Sequence, residues 1–581
     1  MHNMTTAQVQ HSDKRLALIF WSTTAMILGF LILVHLGVLL CFLTTRAFAW
    51  VVPLALIAAM FLGDLLARRQ GLKGKDRLWP IGLMLVMITL AVGISIISYD
   101  LSWDGQWYHQ TGIYSMVQGW NPLREPMRMF PAHNELWVRH YAKGPWYVAA
   151  AMASLTGRIE AAKFATWLTI GAAFMAVGAA AIDAGMRRSR ALALAGVVAL
   201  NPVVISESVS FLVDGLMVCY LVCYVAVLLN TLRHPNLLVI FVGVAATICS
   251  INSKFTGLIV LCFVCAGAGL YCLVRRRDLF WRFTGLNLAI VAIGIGIFGY
   301  NPYVTNTICR KQPFYPLLGS KDFPSLAEQG EDPIERYETP PNMAGRHRLI
   351  RLGYSIFGRP SFTPYNNQPE AHLMWPFTAR IRDLDAYRFH DTRIGGFGPF
   401  FSGALVLSLF LTGWLLFTAS APRFFLLLGY GILATSLLIS VHMWWARYSP
   451  QTWWLPILPV AAAFWSARSR VQIGFAWVLI AIMVANVMPV AAVRWHWEVK
   501  STQTLRRQLT ALRDSGQEIE VAMGYFEGSM AERLKTWGIP FQSVGRIRNG
   551  QELMSVAQGN PGTVYYRFRR TSQSSSNVDQ D

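Results

Sequence analysis

The sequence predicts an α-helical polytopic membrane protein of about thirteen transmembrane helices, with a small external α/β domain at its C-terminus. Three observations predict it. Hydrophobic residues make up 54% of the 581 positions and charged residues only 14%, which is too apolar for a soluble chain of this length. The apolar residues come in blocks able to cross a hydrocarbon core. Beyond Arg494 the pattern changes to short alternating helix-like and strand-like stretches.

The blocks fall at 17–43, 48–66, 80–98, 161–184, 191–207, 214–231, 237–251, 256–273, 284–300, 397–418, 424–441, 452–466 and 472–493. Residues 1–16 precede them as a short polar N-terminus. The first block is too long for the apolar core of a signal peptide, and Cys41-Phe42-Leu43 is a poor cleavage site, so it reads as a permanent helix. Basic residues then orient the bundle. They cluster at Arg68, Arg69, Lys73, Lys75 and Arg77; at Arg187, Arg188 and Arg190; and at Arg275, Arg276, Arg277 and Arg282. Arg233, Arg423, Arg468 and Arg470 add smaller groups. Thirteen spans place every group on one face, which the positive-inside rule makes cytoplasmic, together with the N-terminus. The net charge of +20 is in part this topology signal. No basic run lies in a soluble module with interleaved aromatics, so nucleic acid is not an expected partner. Membrane lipids with acidic headgroups are.

Three segments remain on the other face: a loop at 99–160, a loop at 301–396, and the tail. Seven of the eight cysteines lie in expected spans and only Cys309 lies outside, so no external disulfide can form within one chain. Residues 143–155 are apolar but too short to span, and read as an interfacial or re-entrant helix with its aromatics at the headgroups. The 301–396 loop is rich in Pro, Arg and aromatics and has little periodicity. Loops of that length are commonly binding loops or lids; a structural plug is the alternative. The tail reads as helix over 502–514, strand over 518–523, helix over 529–537, and strands over 541–547 and 563–568. Residues 494–570 thus form a small α/β domain, and 571–581 a low-complexity, disordered end. Neither a phosphate-binding loop nor a dinucleotide fingerprint is present in the tail.

The segment Ser98-Tyr99-Asp100-Leu101-Ser102-Trp103-Asp104-Gly105-Gln106-Trp107-Tyr108-His109 follows the third block directly. It sets two carboxylates among aromatics at the mouth of a span, where ionisable groups are costly and usually used. For Asp104 and Asp100 alike the plain alternative is a helix cap, a common role for aspartate.

Four stretches carry a family resemblance. They are Trp103-Asp104-Gly105-Gln106-Trp107-Tyr108 with Gly119-Trp120-Asn121-Pro122; His140-Tyr141-Ala142-Lys143-Gly144-Pro145-Trp146-Tyr147; Ser253-Lys254-Phe255-Thr256-Gly257-Leu258 with Gln312-Pro313-Phe314-Tyr315-Pro316-Leu317; and Arg447-Tyr448-Ser449-Pro450 leading to Leu455-Pro456. Together, over roughly residues 80–493, they resemble the GT-C glycosyltransferases, in particular the bacterial branch of protein mannosyltransferases and lipid A aminoarabinose transferases. The chain departs from that pattern at Gly105, where many relatives carry a second acid after the first; Asp100, four residues upstream of Asp104, is the other carboxylate at hand.

The resemblance implies an inner-membrane enzyme with external loops and an external C-terminus. It would move a sugar from a polyprenyl-phosphate donor to a lipid-linked or surface glycan, or to protein, with inversion. Such a reaction needs a base for the acceptor hydroxyl and cations for the departing phosphate. Asp104 is the candidate base and Asp100 the second catalytic candidate. Arg447, Lys254 and Lys143 are candidate phosphate-binding residues, with snorkelling to headgroups as the alternative. Trp107, Tyr108, His109 and His140, and further along Tyr303, His442 and Tyr448, are candidate substrate contacts; an interfacial aromatic belt is the competing reading for those around Arg447. Asp214 is expected to pair with Lys254. No cofactor is predicted. His109, His133, Glu135 and His140 match no zinc spacing, and a divalent metal stays open. Two rivals stand beside the transferase. One is a flippase or other transporter of a lipid-linked saccharide, which predicts related halves that this chain lacks. The other is an O-antigen polymerase or ligase, which Arg346, His347 and Arg348 keep open.

Overall fold

In the computed structural model each of the thirteen blocks contains helix, but they are not thirteen equal spans. The residues described are 6–44, 48–131, 134–232, 235–328, 334–361, 369–418, 423–440, 442–467, 469–553 and 563–569. His133, Arg233, Arg468 and the 571–581 tail lie outside them.

The chain opens with α1 (Thr6–Thr44), α2 (Val51–Arg69) and α3 (Leu78–Ile97). Three short helices follow: α4 (Gln110–Val117), α5 (Glu135–His140) and α6 (Gly144–Thr156). Then come α7 (Phe164–Asp183), α8 (Arg188–Ala199), α9 (Pro202–Glu207), α10 (Asp214–Thr231), α11 (Leu237–Ser253), α12 (Phe255–Arg275) and α13 (Arg277–Ile293). The long loop carries α14 (Thr305–Arg310) and α15 (Arg348–Phe357). The chain then returns through α16 (Phe401–Phe417), α17 (Arg423–Ile439), α18 (Ile457–Ser466) and α19 (Arg470–Ser515).

Among the described residues, eight helical stretches are long and apolar enough to cross a membrane, namely those built on α1, α2, α3, α7, α10, α12, α13 and α19. The protein is therefore a multi-pass, helical membrane protein by length and composition. The other five blocks correct the expected thirteen. α11, α16 and α17 are apolar but shorter. The 191–207 block breaks at Asn201-Pro202. Proline fits the first turn of a new helix because its missing N–H has no partner to lose there, and the Asn201 side chain accepts from Val203 N to cap α9. The 452–466 block divides into a 3-10 turn at Pro450–Trp454 and α18, which restarts after Pro456. Hydropathy sees an unbroken apolar run in both places; the backbone does not.

α1 packs on α2, α7 and α11, and α10 packs between α7 and α11. The most apolar window of α10 is 83% buried within the protein and that of α13 only 17%. α10 is thus a central helix, while α13 presents its apolar surface outward, as a lipid-facing helix must. α6 sits inside this core rather than at an interface. Trp146 and Tyr147 are fully buried, and Gly144 lies so close to the end of α11 that a Cβ would come within 2.8 Å of the Asn252 carbonyl oxygen.

α19 is one helix of 46 residues, about 70 Å at 1.5 Å per residue. A hydrocarbon core of ~30 Å takes up less than half of it. No break falls at 494, where the tail was expected to begin. Leu505, Leu509 and Leu512, on one face of its last turns, enter the core of the C-terminal unit. That unit comprises β1 (Ile519–Ala522), α20 (Glu527–Thr536), β2 (Phe541–Ser543), β3 (Gln551–Leu553) and β4 (Val564–Phe568). The sheet order is β2-β1-β4-β3, with β1 and β2 parallel across α20 and β4 antiparallel to β1 and β3. The α/β reading of the tail holds, with β3 as an additional strand too short to show in the pattern.

The C-terminal unit does not stand apart. Leu101 belongs to its core, and Trp103 packs edge-on against Phe526 at 5.2 Å. Arg533 of α20 is buried against the first loop. Its guanidinium donates to Gln106 Oε1 at 3.3 Å and to the Asp100 carbonyl at 3.4 Å, lies 3.8 Å from Glu160, and stacks over Tyr99 at 5.1 Å. Removing one partner of a buried charge pair costs about 3–5 kcal/mol. Arg533→Ala is therefore expected to free the C-terminal unit while the spans stay folded. Limited trypsinolysis of the purified protein should then cut near the exposed 514–518 turn far faster than in wild type. Equal cleavage rates would show that Arg533 does not hold the two parts together.

Candidate functional site

Four distant segments meet at the guanidinium of Arg447. Asp104 comes from the first loop, Asp214 is the first residue of α10, and Asp391 closes the long loop before α16. Arg447 lies on a 3-10 turn, Ala446–Tyr448, between α17 and α18. Its Nη2 donates to Asp104 Oδ2 at 2.8 Å. Its Nε is 3.7 Å from Asp214 Oδ2, and its Nη1 3.6 Å from Asp391 Oδ2. Burial would strip the charge from this side chain, but Asp391 and Asp104 outweigh it and hold the guanidinium well above its ordinary pKa.

The local sequence sets each part. Ser449 Oγ donates to the carbonyls of Met443 and Trp445 and ties the 443–449 turn into shape. Asn201 Nδ2 holds the Pro450 carbonyl from α9's cap. Lys254 is a single extended residue between α11 and α12. It reaches Asp214 Oδ1 in the expected ion pair and lies 4.6 Å over the Tyr448 ring. Burial lowers the Lys254 pKa and Asp214 more than restores it, so it too stays charged. Two cations thus face three carboxylates.

The two early aspartates separate in role. Asp104 starts a helical turn but makes no capping hydrogen bond, so the cap reading fails for it. Its Oδ2 accepts from Arg447 and from Tyr108 OH at 3.3 Å, which leaves Oδ1 without a hydrogen bond among the described residues. Asp100 is fully buried. Its Oδ1 accepts from Ser102 N at 2.7 Å and its Oδ2 from Phe211 N at 2.8 Å. Both oxygens are committed to main chain, so Asp100 is a positioning residue and not the second catalytic carboxylate expected. A Cβ at Gly105 would meet Asp100 Oδ2 at 2.0 Å. The carboxylate of Asp100 occupies the space a side chain at 105 would need, which accounts for glycine there.

Tyr108 sits in an aromatic box, stacked on Trp137 at 5.8 Å and tilted against Tyr141 at 5.4 Å. His109 lies beneath it, and its Nδ1 accepts from Trp146 Nε1 at 2.7 Å, so the neutral ring carries its proton on Nε2. Tyr448 and, 6.5 Å from it, His442 close the other side. Other expected contacts fall elsewhere. The Trp107 ring packs between Trp103, Trp137 and Tyr525, facing the C-terminal unit. Tyr303 spends its hydroxyl on the Ile251 carbonyl and braces the turn that carries Lys254. His140 is buried with Asn306 and Tyr315. Lys143 is fully buried, donates to the carbonyls of Arg139 and Tyr141, and has no carboxylate partner among the described residues. Burial pushes it well below the ordinary lysine pKa, and the structure does not bring it to Arg447 as it brings Lys254. Arg346, His347 and Arg348 are exposed on or beside α15, where Arg346 and Arg348 donate to the Asn342 and Leu438 carbonyls.

The sequence reading missed Asp391, which also accepts from Trp445 Nε1, and the pair of Arg393 with Glu338 behind it. The compact run His390-Asp391-Thr392-Arg393, where the long loop rejoins a span, was the available signal. Among the described residues no three His, Cys, Asp or Glu side chains converge as metal ligands; the aspartates are arranged around the guanidinium instead. No protein-family model, curated protein or solved structure matches the chain.

Burial pushes His109 and His140 down to about 3 from an ordinary 6.5. Between those values the unfolded chain binds more protons than the folded one, so stability falls as pH falls. The unfolding midpoint is expected to drop as pH is lowered from 6.5 toward 3, and less steeply in His109→Gln. Parallel pH curves for the two proteins would show that His109 is not held neutral by the fold.

Proposed function

We propose that this protein is a glycosyltransferase that moves a sugar from a polyprenyl-phosphate donor to a hydroxyl acceptor, as its resemblance to the GT-C enzymes implies. One observation carries the reading. A buried guanidinium keeps its Nε–H without a hydrogen-bond partner among the described residues, beside a carboxylate with an open oxygen. Buried donors are normally satisfied, and planar guanidinium forks suit phosphate oxygens. The cluster also lies where α10 and α12 begin, at the ends of apolar helices, where the phosphate of a lipid-anchored donor would rest. We take α8, α11, α16, α17 and α18 to cross beside the eight longer helices; alternation of crossings then sets these ends opposite the ends carrying Arg68, Arg188, Arg276 and Arg470. The positive-inside rule then puts the cluster, both long loops and the C-terminal unit on the external face of a bacterial inner membrane, with the N-terminus cytoplasmic.

In this mechanism Asp104 Oδ1 takes the acceptor hydroxyl proton. The resulting alkoxide-like oxygen forms a bond to the anomeric carbon as the carbon–phosphate-oxygen bond breaks. The electron pair leaves on the lipid phosphate, whose charge Arg447 and Lys254 receive. A single displacement inverts the anomeric carbon. Tyr108 and Tyr141 offer faces for sugar stacking. A lipid-linked or surface glycan is the favoured acceptor class, with protein as the alternative.

Loss of a general base costs roughly a hundred- to ten-thousandfold in rate. Asp104→Asn is expected to abolish transfer and to raise the pool of polyprenyl-phosphate sugar in lipid extracts of the native host, read by mass spectrometry at matched protein levels. Arg447→Gln is expected to do the same. Unchanged lipid pools and unchanged surface glycans in Asp104→Asn would remove Asp104 as the base and favour transport.

A further inference from the structure

The long loop carries an exposed apolar surface that the cluster around Arg447 does not use. On α15, Leu349 and Ile350 are exposed at the first turn, and the helix is strongly two-sided. Main-chain hydrogen bonds from Met374 N to the Phe357 carbonyl and from Arg359 N to the His372 carbonyl lay the 372–377 segment against the end of α15. That segment and the turn after it show Trp375 at 83% and Ile381 at 90% exposure. Such values for large apolar side chains on linked segments of one loop mark a surface made to be covered.

Two further observations say what covers it. The first is charge. Along the chain Arg346 and Arg348 precede Leu349 and Ile350, and Arg380 and Arg382 flank Ile381, all four exposed. None of the four pairs with a carboxylate side chain across an ion-pair distance among the described residues. The acidic groups nearby are engaged or few: Glu335 is bound by Arg351, Asp385 by Arg388, and Asp383 by the Arg380 main chain, leaving Glu370. The second is position. Arg348 donates to the Leu438 carbonyl at the last turn of α17, where Leu438 and Ile439 are exposed. The Phe377 ring lies against Gly403 in the first turn of α16. The surface therefore adjoins the last turn of α17 and the first turn of α16, at one end of two apolar helices.

We propose that α15 and residues 373–382 form an in-plane membrane anchor, with Leu349, Ile350, Trp375 and Ile381 set into the acyl boundary and the four arginines on acidic phospholipid headgroups. Apolar residues with a basic rim, lying parallel to the surface, are the form such anchors take. The anchor rests on the membrane-spanning character of the chain and not on the transferase reading. It gives the long loop a purpose: Ile381 stands ten residues before Asp391, so the lipid surface fixes the segment that delivers Asp391 to Arg447.

The test uses the full-length protein in nanodiscs of phosphatidylcholine with and without phosphatidylglycerol. Photoreactive benzoylphenylalanine is placed by Trp375→benzoylphenylalanine or Ile381→benzoylphenylalanine. Leu409→benzoylphenylalanine on α16 is the lipid-facing control and Lys535→benzoylphenylalanine the water-facing one. Phospholipid adducts at 375 and 381, as at 409 and unlike 535, are the expected result, with phosphatidylglycerol preferred. Arg380→Gln with Arg382→Gln should lower that preference by roughly fivefold per arginine removed. Absence of lipid adducts at 375 and 381 while 409 reacts would overturn the anchor. So would adducts to a second polypeptide, which would make this face a protein interface.

Discussion

The structure is organised around the burial of one positive charge. A guanidinium taken out of water costs several kcal/mol unless carboxylates and hydrogen bonds compensate it. Arg447 is compensated by Asp104, Asp214 and Asp391, which lie up to some 340 residues from it in sequence. The first loop, the start of α10, the end of the long loop and the α17–α18 turn must all be in place before the charge is covered. Much else serves that closure. Asp100 fixes the first loop to the segment leading into Asp214, Ser449 shapes the Arg447 turn, and Trp445 orients Asp391. The compensation is incomplete in hydrogen-bond terms, since two carboxylates stand beyond bonding distance. That incompleteness is what the proposed function draws on.

What could be read in the sequence follows from range. Helical apolar blocks are local, and all thirteen contained helix; the tail's alternation is local, and its strands and helix appeared close to where the pattern put them. Asp104, Lys254 and Arg447 each sat beside a block end, Asp104 and Arg447 among aromatics, and the fold brought all three together. The failures are long-range. Lys143 looked like a headgroup-level cation, but α6 turns into the bundle, and only α1 and α11 packing around it decides that. Tyr303 and His140 looked available, yet each is satisfied by a group far away in the chain, Ile251 and Asn306. Asp391 was overlooked because a residue at the end of an aperiodic loop carries no pattern that says which end of which helix it will face.

The C-terminal unit is tied to the same closure from the other side. α19 carries it past the span as one rigid rod, and its core takes Leu101 from the first loop. Arg533 then reaches Gln106 and Gln110, on either side of His109 and within six residues of Asp104. A unit that supplies side chains to a loop only a few residues from the candidate base cannot move without moving that loop. Its contribution to any chemistry at Arg447 is therefore positional, through the main chain of 100–110.

The contact between Asp100 and Gly105 shows how the lack of a second acid after Asp104 is settled by space. A second acid directly after Asp104 would point its Cβ into the Asp100 carboxylate at 2.0 Å, a contact no relaxation of a flexible tip relieves, because that carboxylate is held by two main-chain N–H groups. Either position can supply a carboxylate to this volume, but not both. In this chain position 100 supplies it, and uses it to join the first loop to Phe211. The neighbourhood of Asp104 thus keeps two carboxylates with divided work: one bound to backbone and fixed, the other, Asp104, bound on one oxygen and open on the other.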